Sequence, residues 1–108
     1  MRYKEIVLRA NDTSGALTEI KFEIATARAE NAELIVIRYS YGEAFSSFIF
    51  KVSQALRKMK QKRLIQLFAF SENFSRGGTE SVYLKNKYSE LFADAFPSDG
   101  DRILYIKL

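Results

Sequence analysis

Glu33-Leu-Ile-Val-Ile-Arg-Tyr-Ser-Tyr-Gly42 is the stretch that decides how this chain is read. Its first half, Leu34 to Ile37, is apolar on both faces, as a central strand of a covered sheet must be. Its second half reads as a turn leading into a helix N-terminus, the place where open α/β sheets put their ligands. That turn carries Tyr39, Ser40, Tyr41 and Gly42, with no histidine, cysteine or carboxylate among them. The scaffold is built for a site from which the usual side-chain chemistry is missing.

Working outward, Ile6, Leu8 and Ala10 alternate with Val7 and Arg9, which predicts a first strand over roughly residues 3–10. Asn11 to Gly15 is a turn with several candidate N-caps. Leu17, Ile20, Ile24 and Ala27 then recur at helical spacing, and Asn31 is suited to a left-handed C-cap. Phe22 falls off that stripe. On the other side, Phe45, Phe48, Ile49, Val52, Leu56 and Met59 trace an i, i+3, i+4 stripe through a second helix, about residues 44–62. A third strand is expected over Leu64–Phe70, and a polar loop from Ser71 to Gly78. Thr79 or Ser81 caps a short helix holding Val82, Tyr83, Tyr88, Leu91 and Phe92. Pro97 to Gly100 is a turn, and Arg102–Leu108 a closing strand. The order is β-α-β-α-β-α-β, without linker, repeat or low-complexity segment. It implies one α/β domain over residues 1–108: a two-layer sandwich on a four-stranded, mostly parallel or mixed sheet. The first two helices are expected on one face and the third at an edge.

Composition narrows the classes of function. The 108 residues are 47% hydrophobic, with nine Phe and six Tyr, enough to bury a core without staples. Cysteine and histidine are both absent, so disulfides, thiolate metal sites and imidazole acid-base chemistry are excluded. No apolar run nears the roughly 18 residues of a membrane helix, and Met1-Arg-Tyr-Lys-Glu5 reads as a strand opening rather than a signal peptide. A cytoplasmic protein, with no membrane partner and no cofactor, is expected. Net charge is +4, but unevenly placed: Lys51, Arg57, Lys58, Lys60, Lys62 and Arg63 follow one another with no acid between them. Such a cluster attracts phosphate backbones by counterion release. It is also a common end for a solvated helix.

Three segments give the layout a resemblance to the Smr (small MutS-related) domain, which covers nearly the whole chain. Ile37-Arg-Tyr-Ser-Tyr-Gly42 stands where that family has a strand ending in a His-Gly-x-Gly turn. Ala55-Leu-Arg-Lys-Met-Lys60 resembles the basic helix after it. Phe68-Ala-Phe-Ser-Glu-Asn-Phe-Ser75, with the helix and strand that follow, is similar to the tail of stand-alone Smr proteins. The resemblance implies nucleic-acid binding and nicking. Tyr39 replaces the family's histidine and Ser40 its first glycine, while Gly42 keeps the last one. Val7-Leu-Arg-Ala-Asn-Asp-Thr13 replaces a Leu-Asp-Leu-His-Gly-like motif. What this implies is a degenerate domain that binds without histidine-based nuclease chemistry.

The expected nucleic-acid contacts are Arg38, Tyr41 and Gly42 at the turn and Lys51, Arg57, Lys58 and Lys60 on the basic helix, with no catalytic or metal residue. Binding would be backbone-directed, since nothing suggests base-edge readout. Two alternatives accompany it. One is an interaction or oligomerisation module using Phe50, which lies off the apolar stripe, as a surface for a homodimer or another protein. Burial of Phe50 under the third helix is the competing expectation. The other is a divergent nuclease of DNA or RNA using Asp12, Glu43 and Glu72 as a carboxylate metal site. Arg76-Gly77-Gly78-Thr79 is read either as an anion-binding nest or as an ordinary loop.

Overall fold

The computed structural model of the chain describes residues 2–40, 45–98 and 100–108. The elements follow in the expected order: β1 (Tyr3–Val7), α1 (Thr13–Ala29), β2 (Leu34–Arg38), α2 (Phe45–Gln61), β3 (Leu67–Phe70), α3 (Thr79–Lys87) and β4 (Ile103–Lys107). Single 3₁₀ turns at Ser71–Asn73 and Ser89–Phe92 flank α3. Spatial order in the sheet is β1-β2-β4-β3. β1 and β2 pair in parallel, whereas β4 runs antiparallel to both β2 and β3. The sheet is therefore mixed, and β1, β2 and β3 all point the same way.

Alternation along the strands divides the apolar residues between two faces. Ile35, Ile37, Leu104 and Ile106 pack under Ile20 and Ile24 of α1 and Phe48, Val52 and Leu56 of α2. This is the expected sandwich of two helices on a sheet. Leu34, Val36, Ala69, Ile103 and Tyr105 face the other way and pack against Phe74, Leu84 and Tyr88. So α3 lies across that second face rather than at an edge. The cause is in the strands: β2 and β4 are apolar on both sides and need cover on both. Over β1 the described residues provide no such cover, and Tyr3 and Val7 are exposed. Among the described residues no helix is long and apolar enough to cross a membrane.

α1 and α2 each span 17 residues, about 25 Å, and they stop in the same way. Asn31 (φ 59°) and Arg63 (φ 61°) adopt the left-handed conformation just past the two helices. Ala32 N–H then donates to the Ala27 carbonyl and Asn31 N–H to Arg28; Leu64 N–H donates to Met59 and Arg63 N–H to Lys60. Both ends are Schellman motifs. The second one explains why β3 starts at Leu67 rather than Leu64: the backbone of Arg63 and Leu64 is spent on closing α2. The first strand likewise ends early, because the Glu19 carboxylate accepts the N–H groups of Arg9 and Ala10. The third helix begins at Thr79 behind an N-cap at Gly78, and breaks at Tyr88 into the 3₁₀ turn.

At the start of α1 the Asp12 side chain accepts the Gly15 N–H at 2.6 Å. A Cβ on Gly15 would meet that same carboxylate oxygen at 2.7 Å and Ala10 Cβ at 3.1 Å. Gly15→Ala is therefore expected to destabilise the fold by about 1 kcal/mol, although alanine is the better helix former. Arg63→Gly, which relieves a left-handed residue, is expected to stabilise by about 0.5 kcal/mol. Urea unfolding of the two variants checks both signs. Phe48→Ala in the main core is expected to cost about 3–5 kcal/mol.

Candidate functional site

α1 and α2 lie side by side on one face of the sheet and leave a groove of about 860 Å³ between them. Its floor is apolar, formed by Leu17, Ile24, Ala55 and Met59. Its rim is cationic. On α2, Lys51 and Lys58 are seven residues apart and share one flank, and Lys62 follows one turn later. On α1, Lys21 and Arg28 hold the same seven-residue spacing on the facing flank. Among the described residues no acid lines the groove. The acids of α1 and its C-cap are engaged elsewhere: Glu19 with the backbone after β1, and Glu23 and the C-cap Glu30 with Lys4 at 3.3 and 3.6 Å. α2 contains no acid at all. Arg28 also donates to the Leu64 carbonyl at 2.7 Å, which ties the end of α2 to α1.

Of the residues expected to contact nucleic acid, Lys51 and Lys58 come together in this groove. Arg57 is exposed but does not line it. Lys60 sits on the opposite flank of α2 and reaches Glu80 of α3 at 3.9 Å. Arg38 is elsewhere: it projects from the sheet face that carries α3 and forms a 3.1 Å ion pair with Glu5. There it borders a smaller cleft of about 280 Å³ beside Phe92, Phe96 and Tyr105. Tyr41, Gly42 and Glu43 lie outside the described residues. Lys21, Arg28 and Lys62 belong to the groove but were not among the expected contacts.

Tyr39, at the position where the resemblance places a histidine, is core. It is 5% exposed and packs on Phe48 at 4.9 Å and edge-on to Phe70 at 6.2 Å. Phe50 is not buried under α3. It is 61% exposed on the outer side of α2, and Phe22 is 66% exposed on α1. Asp12 caps α1, and Glu72 sits in the turn after β3. Among the described residues no three acids gather as a metal site would require. In Arg76-Gly77-Gly78, Gly77 takes φ 68°, and α3 starts without a side-chain cap.

Comparison of the chain with protein-family models, curated proteins and solved structures found no match.

Three tyrosines report on the integrity of this arrangement. Burial, with Glu72 nearby, pushes the Tyr39 hydroxyl above the usual tyrosine range. Burial raises Tyr105 to about 12, and burial with the Glu33 carboxylate raises Tyr88 to about 12. The neutral form is the one the fold favours, so this stabilisation is complete below pH 10.0 and lost as pH rises towards about 12. Circular dichroism and tyrosinate absorbance are expected to change together in that window. Ionisation of all six tyrosines with the fold intact would contradict the buried placements.

Proposed function

We propose that this domain binds nucleic acid through the sugar-phosphate backbone, with the cations of the α1–α2 groove as its contacts. The observation that carries the reading is the convergence of Lys21, Arg28, Lys51, Lys58 and Lys62 on a surface where no acid lies among the described residues. Phosphates drawn to such a surface release condensed counterions, and that release drives binding irrespective of base sequence. The resemblance to the Smr domain supports the same reading. Without a histidine in the chain, binding is unaccompanied by imidazole-based nicking. We place the protein in the cytoplasm, in keeping with a chain that uses no cysteine.

A second reading has one observation of its own. Phe22 and Phe50 are large, exposed and apolar, as side chains at a protein or homodimer interface are. Association through them would be concentration-dependent and insensitive to salt.

Fluorescence anisotropy of labelled nucleic acid separates the two. Five neutralised phosphates predict a log–log salt slope of roughly −4.5 on duplex DNA. Lys51→Glu/Lys58→Glu is expected to weaken binding at least about ten-fold across unrelated sequences. Arg57→Glu/Lys60→Glu, off the groove, is expected to weaken it less. Unchanged affinity of the Lys51→Glu/Lys58→Glu protein at matched salt would remove the groove from consideration.

A further inference from the structure

We infer that the α1–α2 groove selects single-stranded over double-stranded nucleic acid, taking bases against its apolar floor while its rim holds the flanking phosphates. The inference rests on the nucleic-acid reading above and adds a substrate class to it. A surface made only for a duplex backbone needs cations and little else, because the base faces of a duplex are hidden in the stack. This groove offers more. Its floor is the apolar strip of Leu17, Ile24, Ala55 and Met59, and its two walls carry three and two cations. A single strand presents the matching pattern, with an anionic backbone on one side and unstacked apolar base faces on the other. Met59 adds a flexible, polarisable surface that adapts to bases of different size.

The exposed aromatics provide the second observation. Phe22 is three residues from Ala25, and Phe50 four residues from Gln54; both Ala25 and Gln54 line the groove. Residues at these spacings are neighbours on a helix surface, so each phenyl ring lies on the outward face of its helix beside one residue of the groove wall, outside the lining itself. Neither ring is used by the core: Phe22 and Phe50 are among the most exposed large apolar residues of the domain. Exposed aromatics beside a cationic channel are the stacking platforms of proteins that bind single strands without sequence preference. At about 25 Å, the two helices give a channel for several nucleotides.

The test compares labelled oligonucleotides of one sequence, single-stranded and duplex, at matched salt, against the full chain and two variants. The wild-type protein is expected to bind the single strand at least about ten-fold more tightly. Phe22→Ala/Phe50→Ala changes only exposed side chains. It is expected to lower single-strand affinity about ten-fold while leaving duplex affinity unchanged. Lys51→Glu/Lys58→Glu is expected to weaken both. Equal affinity for the two forms, or a Phe22→Ala/Phe50→Ala protein that keeps the preference, overturns the single-strand inference and leaves the phosphate-binding reading standing. Failure to bind either form at low salt overturns that reading and this inference with it. Capture of an acidic amphipathic peptide in their place would reassign the groove to a helical partner.

Discussion

β4 is the last strand in the chain and an inner strand of the sheet, and its insertion between β2 and β3 is the constraint on which the other elements depend. β2 pairs with β1 on one side and β4 on the other, and among the described residues β3 has no strand neighbour except β4. Withdraw β4 and the backbone groups of β3 lose their partners, while the apolar residues of β2 lose Leu104 and Ile106 on one face and Ile103 and Tyr105 on the other. All five of its residues are buried. The strand is locked further by the Ser71 hydroxyl, which donates to the Asp101 carbonyl and accepts the Ile103 N–H. A pairing that joins residues 34–38 to residues 103–107 has high loop-closure entropy. The two helices on the first face are thus held over a sheet completed only when the far end of the chain arrives.

Charge is sorted with equal consequence. α1 is not a basic helix; it carries Glu19 and Glu23, with Glu30 as its C-cap, alongside Lys21 and Arg28. What makes the groove cationic is the side to which each group is turned. The three acids face β1, where a backbone turn and Lys4 engage them, and the cations are left to face α2. A net charge of +4 spread evenly would steer little. Concentrated on a groove with a low-dielectric floor, the same charge gives a local field that an anion can follow.

Much of the fold was legible because the pattern was strong. Ile35 and Ile37 against Leu34 and Val36, and the stripe of Phe48, Val52 and Leu56, announce a doubly covered strand and an amphipathic helix whatever the neighbours. Element ends were harder, because they turn on single interactions. The Glu19 carboxylate stopping β1 lies ten residues away from Arg9, and Arg63 carries no sign that it would take a left-handed conformation. The candidate site was half legible. The run from Lys51 to Arg63 identified α2, yet helical phase sends Lys51 and Lys58 to one flank and Lys60 to the other. Lys21 and Arg28 share a spacing that could have been read, but only the packing of α1 beside α2 gives it meaning. Arg38 has the parity of Leu34 and Val36; which parity faces the helices is a property of the whole sheet. Phe50 was ambiguous because the position of α3 was.

The common ending of α1 and α2 has an electrical consequence. Both helices connect strands that run in the same direction, so their axes are parallel to each other, and their carbonyl-bearing ends lie at the same end of the groove. Each helix contributes roughly half a negative charge there and half a positive charge at its start. Arg28, Lys58 and Lys62 stand at the negative end and are partly offset by it, whereas Lys21, midway along α1, and Lys51, in the first half of α2, lie beyond its reach and keep their full charge. The potential along the groove is therefore graded rather than uniform. A polar polymer lying in it, whose two directions are chemically distinct, meets a channel with a direction of its own.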